Sequence, residues 1–426
     1  MDKPKWFKRR GYRHFDRPVA ENFVERVQKP DFVQRHSFSP LIHFIKKTKR
    51  YKSDKQETVW KERPIMYASH RDACILSYYS AQLDAALEAA YQGDQLEENV
   101  IAYRKLGKGN DAFSADAYRY AVAHAPCKIL AFDVTDFFGS LDHALLKRRL
   151  KSKLRVDELQ DDWYQVFKSV TRYHYIESAA LKADEIIGPR YRIRQPLPIA
   201  TMAEIKSRGI KIHASPTVGK DIRRGIPQGT PISATLSNLY LYEFDVQLLQ
   251  YAKEIGAFYR RYSDDILFIC LPERAAAAEA KIRELLTEDK LTISEAKTER
   301  TLFDPESEEG RKRAAQYLGF AFSAAGPMIR ASSVSRRWRK MRGAIKRKRR
   351  VAEAVTADGG MFKLSTKKLR RQFSPTGGRN FSSYGRRAAV TFGPDGTTIL
   401  RQVRRLERAA DDEIRRLKVD FPDKRV

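Results

Sequence analysis

Cysteine is scarce in this chain, because its 426 residues contain only Cys74, Cys127 and Cys270. These three are too few and too far apart for a disulfide framework or a zinc site, which is typical of a reducing compartment. No apolar run approaches the roughly 18 residues that a membrane-spanning helix needs. The basic start, Met1 to Trp6, is unlike a secretory signal. We therefore expect a cytoplasmic protein with no membrane partner.

Acidic residues are also in short supply, since 53 Asp and Glu stand against 82 Lys and Arg, a net charge of +29. Residues 1–64 hold 18 basic against 8 acidic residues, and residues 330–391 hold 19 against 2. Residues 65–329 are balanced, with 36 of each. Two basic arms on a neutral body predict a polyanionic partner. Arms that serve only solubility are the alternative.

Hydrophobic periodicity predicts an α+β fold. Apolar residues at helical spacing predict helices over 70–91, 140–154, 233–249 and 275–286. Short apolar runs predict strands over 129–132, 258–262, 266–270, 291–294 and 316–322. This order of elements is typical of an antiparallel sheet backed by helices.

Three carboxylates occupy unusual positions in this pattern. Asp133 ends a predicted buried strand, and Asp264 and Asp265 lie in the turn of a predicted hairpin. Neighbouring like charges are costly beside an apolar body unless a cation neutralises them. Carboxylate oxygens are the ligands that hard divalent cations prefer, and two such ions can drive phosphoryl transfer. Ordinary turn chemistry, in which Asp is common, is the alternative.

The segments around these residues resemble the sequence blocks of bacterial reverse transcriptases of the retron and group II intron type. The resembling segments, in family order, are Lys61–Ile65 with Arg71, Phe132–Phe138, Gly225–Ser233, Tyr262–Asp265, Leu291–Ser294 with Lys297, and Gln316–Phe320. Any one block is a weak match. Six in the family order, spread over about 61–322, leave little room for coincidence.

The resemblance implies a right-hand polymerase with fingers, palm and thumb. Residues 61–322 would form the fingers and palm, after a basic N-terminal extension at 1–60 and before a basic helical thumb at 323–426. The implied activity is RNA-directed DNA synthesis by two-metal-ion nucleotidyl transfer. The implied cofactor is a pair of Mg²⁺ ions, with Mn²⁺ as a substitute.

The resemblance also implies a role for each matching residue. The catalytic, metal-binding residues are Asp133, Asp264 and Asp265, and the Val134 carbonyl is a further metal ligand. The nucleotide-binding residues are Arg63, Arg71, Phe138, Gln228 and Lys297. Phe138 would exclude ribonucleotides by clashing with the 2′-hydroxyl, unless it is simply a core aromatic beside Phe137. Lys297 would protonate pyrophosphate, unless it is an ordinary surface lysine.

The basic segment after residue 330 predicts contacts with nucleic acid, because aromatic residues interrupt the charge. The predicted contact residues are Arg336, Arg337, Trp338, Arg339, Lys340, Lys346, Arg347, Lys348, Arg349 and Arg350. A solvated helix face is the alternative. Residues 171–224 are longer than a link between palm blocks requires, and we expect an insertion near the template path.

Two departures from the retron pattern point to a subclass. Ser263 stands where retron and intron enzymes usually have Ala, and Val390 to Gly393 only approximates the retron thumb signature. The sequence has no Cys/His pattern of an endonuclease and no second carboxylate set of an RNase H. The chain most resembles the stand-alone defence-associated reverse transcriptases, class 2 among them. Such an enzyme would bind dNTPs and a structured non-coding RNA template, and would release cDNA during antiphage defence.

Other functions remain open at this point. A retron or intron-type reverse transcriptase, or an RNA polymerase or untemplated nucleotidyl transferase, could use the same palm. A catalytically silent RNA-binding protein is the non-enzyme alternative, although such a protein would not need all three carboxylates.

Overall fold

The computed structural model describes residues 4–52, 57–193, 195–215, 223–358 and 365–421. The strands in these residues are β1 (Leu41–Lys52), β2 (Glu57–Tyr67), β3 (Cys127–Asp133), β4 (His174–Glu177), β5 (His213–Ala214), β6 (Phe258–Tyr262), β7 (Asp265–Cys270), β8 (Glu299–Phe303), β9 (Ala315–Tyr317), β10 (Phe320–Ser323) and β11 (Gly326–Ile329). The helices are α1 (Asn22–Val27), α2 (Pro30–Gln34), α3 (His70–Gly93), α4 (Asn110–Ala123), α5 (Phe137–Ser140), α6 (His143–Leu154), α7 (Asp161–Thr171), α8 (Ser178–Ala183), α9 (Ile187–Arg192), α10 (Met202–Ser207), α11 (Ser233–Tyr240), α12 (Tyr242–Glu254), α13 (Ala275–Glu288), α14 (Glu308–Lys312), α15 (Ala331–Ala357), α16 (Lys367–Phe373), α17 (Phe381–Thr391) and α18 (Thr397–Asp420). Across these ranges, no helix is both long and apolar enough to cross a bilayer.

The palm sheet has the strand order β6-β7-β3-β8, and each neighbouring pair is antiparallel. Its two central strands are apolar on both faces because each face enters a different core. Leu130 and Phe268 point into a core shared with α12 and α13. Ile129 and Leu267 point into a second core shared with α4, α17 and β9 to β11. The predicted α+β fold, with an antiparallel sheet backed by helices, is confirmed.

A second sheet, with the order β2-β1-β4-β5, combines distant parts of the chain. Strands β1 and β2 form a long antiparallel ribbon, and β4 runs parallel to β1. Residues 171–224, predicted as an insertion, therefore supply two strands of this sheet. They also supply α8 to α10, which bury Ile42 of β1 against Ile176 and Leu181. Residues 194 and 216–222 of this segment lie outside the described residues.

The N-terminal residues pack on the body of the molecule. The Trp6 and Tyr78 rings lie 5.3 Å apart, and the Tyr12 hydroxyl donates to the Ala68 carbonyl at 2.7 Å. The Asp16 carboxylate accepts hydrogen bonds from the backbone N–H groups of His70 and Arg71, both at 2.9 Å. Since β1 pairs with β2, the domain boundary predicted at residue 60 falls inside one hairpin.

After β11 the chain forms the helices α15 to α18, the region predicted as a thumb. Helices α15, α16 and α18 share a small apolar core that includes Met341, Ile345, Phe373 and Leu406. These helices are amphipathic, and their basic residues therefore occupy the faces that the core does not need.

Three predicted elements differ from the structure in detail. The helix predicted over 233–249 is interrupted at Leu241, which separates α11 from α12. The strand predicted over 291–294 makes only one bridge, between Ile293 and Val134. The strand predicted over 316–322 is a hairpin, because Leu318 and Gly319 both adopt positive φ and reverse the chain.

Candidate active site

Strand pairing brings the three predicted carboxylates to one end of the palm sheet. Asp133, the last residue of β3, pairs in register with Asp265, the first residue of β7. Asp264 precedes it in the tight turn from β6. The Val134 N–H donates to the Asp264 carbonyl at 3.3 Å, so the turn is tied directly to the end of β3. Val134 itself is buried, and its predicted role as a carbonyl ligand stays a prediction.

The chemistry of this carboxylate group fits a cation. Asp265 is exposed to solvent at the start of β7. Partial burial is the largest cause that raises its pKa to about 6, and the charges of Asp264 and Asp133 raise it further. Asp133 also contacts the Lys297 ammonium group. Within the described ranges no group of three or more His, Cys, Asp or Glu side chains forms a ready metal cage. The negative charge that remains around Asp265 is of the kind that a divalent cation relieves.

A buried ion pair between Arg261 and Asp245 holds the turn at 263–264 in place. Arg261, on β6, donates to both Asp245 carboxylate oxygens, at 2.7 and 2.5 Å, and neither side chain is exposed. The same guanidinium group donates to the Ser263 carbonyl at 2.9 Å and to the Asn238 side chain at 3.3 Å. Burial raises the pKa of Asp245, whereas the charge and hydrogen bonds of Arg261 oppose that rise. The bidentate geometry is that of an ionised pair.

Residues 99–103, in the segment that follows α3, also contact β6 and the turn. The Arg261 N–H donates to the Asn99 carbonyl at 2.7 Å, and the Arg261 carbonyl accepts from the Ile101 N–H at 3.1 Å. The Tyr103 hydroxyl lies 3.0 Å from the Ser263 hydroxyl. Ser263 is buried at a φ of +60°, a strained value for a residue with a side chain. The serine that departs from the usual alanine therefore gives this strained turn an additional anchor.

The loop at 225–229 packs against two other predicted blocks. The Ile226 N–H donates to the Phe138 carbonyl at 2.8 Å, and the Gln228 carbonyl accepts from the Met66 N–H of β2 at 2.9 Å. Gly229 has a φ of +117°, and a Cβ there would lie 2.7 Å from the Met66 carbonyl, so only glycine fits. The backbone hydrogen bond from Ile226 thus holds the loop that carries Gln228 against the segment that carries Phe138. The Phe138 ring is half-buried, 5.5 Å from the Phe137 ring.

The remaining predicted nucleotide-binding residues are exposed. Arg63 lies on β2 opposite Lys46 of β1, and Arg71 lies in the first turn of α3. Lys297 follows the segment at 291–294, where the Ser294 N–H donates to the Asp133 carbonyl at 2.8 Å. Only Lys297 among these three contacts a predicted catalytic residue in the described part of the chain.

The predicted thumb contacts divide into two groups. The exposed members recur at helical spacing along one face of α15, opposite Met341, Ile345 and Ala352 in the core. These exposed residues, which we call the α15 stripe, are Arg336, Arg339, Lys340, Lys346, Arg347 and Arg350. The half-buried members are Arg337, Trp338, Lys348 and Arg349.

Half-buried members of this set contact other residues of the thumb. The Arg337 guanidinium lies 4.4 Å from the centroid of the Phe373 ring, and burial lowers its pKa. Arg349 forms an ion pair with Asp420 at 2.7 Å. Trp338 packs against the thumb core. Arg337 and Trp338 therefore pack within the thumb, and the predicted phosphate contacts of the exposed α15 stripe stay a prediction.

Several residues near the carboxylates were missed by sequence reasoning. Arg261, Asp245 and Tyr103 support the turn. Arg330, which immediately precedes α15, lies close enough for its charge to oppose the rise in the pKa of Asp265. The Arg330 N–H donates to the Gly319 carbonyl at 2.9 Å, which joins the thumb to the β9–β10 hairpin. Arg261 immediately precedes the predicted block Tyr262–Asp265. The available signal was the pair of arginines, Arg260 and Arg261, inside a strand whose other residues are aromatic.

A family model described as reverse transcriptase (RNA-dependent DNA polymerase) matches residues 55–322. No curated protein matches the sequence. Two solved structures illustrate the structural likeness. Apo telomerase from Candida tropicalis, truncated from its C-terminal domain, has 12% identity over 67% of this chain, with a TM-score of 0.43. Telomerase from Candida albicans, in complex with a fragment of telomeric RNA, has 11% identity over 94% of this chain, with a TM-score of 0.44. The chain spans 54% and 66% of those two proteins.

Proposed function

Because the chain belongs to the reverse transcriptase family, whose model matches residues 55–322, we propose that it synthesises DNA on an RNA template. The enzyme class predicted from the sequence, RNA-directed DNA polymerase, is the class of this family. The observation that carries the proposal is the register of the palm sheet, which pairs Asp133 with Asp265 beside the turn at Asp264. A turn that served only to connect two strands would not need this concentration of carboxylates.

Asp133, Asp264 and Asp265 would hold two divalent cations, with the Val134 carbonyl as a further ligand. We propose Mg²⁺, with Mn²⁺ as a substitute, because oxygen donors suit both ions. Such cations would activate the primer 3′-hydroxyl and neutralise the charge of the triphosphate and the departing pyrophosphate. Arg261 and Tyr103 would keep the turn in position, so that the two aspartates of the hairpin need little rearrangement.

Other side chains around the carboxylates would hold the nucleotide. Arg63 and Arg71 are exposed and would donate bidentate hydrogen bonds to the triphosphate. Lys297, which lies at Asp133, would donate a proton to pyrophosphate. Gln228 and Phe138 would lie at the sugar and base of the incoming nucleotide, because a backbone hydrogen bond holds their two segments together.

Phe138→Ala should increase the incorporation of ribonucleotides relative to deoxyribonucleotides. The shortened side chain would no longer clash with the 2′-hydroxyl group. The measurement is the ratio of kcat/KM for dTTP and UTP on one RNA template, with Phe138→Tyr as the matched control that retains a ring. Unchanged sugar discrimination in a well-folded Phe138→Ala protein would instead assign Phe138 to the core.

Template dependence separates the proposed activity from untemplated nucleotidyl transfer. The full-length protein, supplied with a primer and all four dNTPs, should extend the primer only when a complementary RNA is present. Extension that persists without any template would favour the terminal-transferase alternative. Binding of RNA with no incorporation under any divalent cation would favour the catalytically silent alternative.

Neutralising part of the α15 stripe should weaken RNA binding and reduce its salt dependence. In the triple variant Arg336→Gln, Arg339→Gln and Lys340→Gln, each lost phosphate contact should lower the slope of log K against log salt by roughly 0.7 to 0.9. The matched control replaces Lys253, Lys281 and Lys312, which lie outside the thumb, with Gln. Equal slopes for the triple variant and the parent would mean that the stripe is a solvated surface that does not contact phosphates.

The finer proposal is a cytoplasmic enzyme that copies one dedicated structured RNA and protects its host from phage. Its support is the resemblance to stand-alone defence-associated reverse transcriptases and the concentration of positive charge in residues 1–64 and 330–391. Two basic regions could hold folded RNA by its shape and phosphates. The test expresses the gene with its native flanks and sequences the bound RNA and the cDNA. It then repeats the phage challenge with Asp264→Asn.

Copurification of one RNA, cDNA complementary to it, and loss of protection in Asp264→Asn would support this proposal. cDNA drawn evenly from cellular transcripts would contradict a dedicated template. Protection that survives the active-site change would contradict a defence role that depends on DNA synthesis.

A further inference from the structure

The ribbon formed by β1 and β2 has two faces with different chemistry. Register places Lys46 opposite Arg63 and Thr48 opposite Lys61, and side chains of directly paired residues share a face. This first face carries Arg63, which we assigned to the nucleotide. Because side chains alternate along a strand, the residues between these positions occupy the other face.

The other face, which we call the Trp60 face, mixes apolar and charged side chains. Its residues are Ile45, Lys47, Lys49, Trp60, Glu62 and Pro64. Trp60 is 54% exposed and Ile45 is 39% exposed. The chain has four tryptophans, all of them in described residues, and only Trp60 is exposed. An exposed indole on a protruding ribbon has no role in the core of the fold.

A lysine lies beside the exposed indole. The Lys49 ammonium group lies 5.0 Å from the Trp60 ring centroid, and Lys49 pairs directly with Trp60 in the register. Lys47 forms an exposed ion pair with Glu62 at 2.7 Å. Lys49 is therefore the cation on this face that lies at the ring and has no acidic residue opposite it in the register. The combination of a flat ring and adjacent cations suits a nucleotide, whose base can stack while its phosphate meets an ammonium group.

We propose that the Trp60 face binds unpaired RNA, with one base stacked on Trp60 and its phosphate near Lys49. This inference rests on the proposed function, since it deepens the account of how the enzyme holds RNA. The surface is separate from the nucleotide site, because it lies on the opposite face of the ribbon from Arg63. Its ligand is a single strand, since stacking requires a base that is not enclosed in a duplex.

The location on an edge strand strengthens the argument. Strand β2 is the outer strand of its sheet, and edge strands commonly carry lysine and proline to discourage association between chains. Pro64 of β2 fits that protective role, but Trp60 of the same strand opposes it because an exposed apolar group promotes association. A ligand that covers the indole is therefore expected. The adjacent Lys49 and the net charge of +29 favour a polyanion over a second copy of this basic chain.

The test measures binding of a fluorescein-labelled, unstructured RNA 20-mer to full-length protein at one fixed salt concentration. Trp60→Ala should weaken this binding about tenfold, in keeping with the loss of one stacked base. Trp60→Phe should retain most of the affinity, because a ring remains. The matched control is Tyr164→Ala, which removes another ring that is 43% exposed beneath a lysine, Lys147, at 5.6 Å. That control should leave RNA binding unchanged.

Each outcome separates this inference from the proposed function. DNA synthesis by the wild type on an RNA template tests the polymerase assignment by itself, whatever Trp60 does. Equal RNA affinity for Trp60→Ala and the wild type, with both proteins equally folded, would overturn the inference while leaving the polymerase intact. A change from dimer to monomer in Trp60→Ala, measured by sedimentation with RNA affinity unchanged, would assign the face to self-association and would also overturn it.

Discussion

Asp264→Asn should reduce DNA synthesis at least about a hundredfold, because cation stabilisation of the transition state is worth several kcal/mol. A neutral amide would hold a divalent cation poorly in place of the carboxylate. The side chain lies in a turn and is not enclosed in the core, so the fold should tolerate the change. The measurement is the rate of dNTP incorporation on a primed RNA template, with RNA affinity and thermal unfolding measured in parallel.

Asp157→Asn provides the matched control, since it makes the same change at an exposed aspartate far along the chain from the palm turn. It should leave incorporation unchanged. A loss of activity well below a hundredfold in Asp264→Asn would remove this residue from the set of catalytic carboxylates. A large loss accompanied by unfolding would mean that the turn is structural.

Arg261→Met should destabilise the protein by about 3–5 kcal/mol, because it leaves the Asp245 carboxylate buried without its cation. Both side chains of this pair are inaccessible to solvent. The substitution also removes the donor to the Ser263 carbonyl. The measurement is the free energy of unfolding in urea, compared with Lys281→Met, which breaks an exposed helical ion pair with Glu284 and should cost less than about 1 kcal/mol.

The double variant Arg261→Met with Asp245→Leu separates stability from positioning. Replacing both charges by apolar side chains should restore much of the lost stability, since no buried charge is left unpaired. DNA synthesis should remain impaired, because the Ser263 carbonyl of the strained turn has then lost the guanidinium group that donates to it. A double variant that recovers both stability and full activity would show that the ion pair contributes nothing to the geometry of the turn.

The palm could be predicted closely because its signals are local. Two apolar runs joined by Ser263, Asp264 and Asp265 define a hairpin, and a further run ending at Asp133 defines its neighbour. The interruption at Leu241 could not be read from the sequence, since apolar residues continue at helical spacing on both sides of it. The chain reversal at Leu318 and Gly319 was also missed, because Gly319 is the only residue there whose type indicates a turn and the apolar residues continue on both sides.

Long-range packing accounts for most of what the sequence did not indicate. The N-terminal basic residues look like a free arm, but Trp6 packs on Tyr78 and Asp16 holds the start of α3. Likewise, a run of arginine and lysine does not itself reveal which members face solvent. Only the three-dimensional core assigned Arg337 to the interior of the thumb and left Arg336 and Lys340 exposed.

The central claim is that this chain copies RNA into DNA at the carboxylate site of its palm. The most direct measurement incubates the full-length protein with a primed RNA of defined mixed sequence, four dNTPs and Mg²⁺, and sequences the product. We expect DNA complementary to that RNA from the wild type and from Asp157→Asn, and none from Asp264→Asn. DNA unrelated to the template, or equal synthesis by Asp264→Asn, would contradict the account.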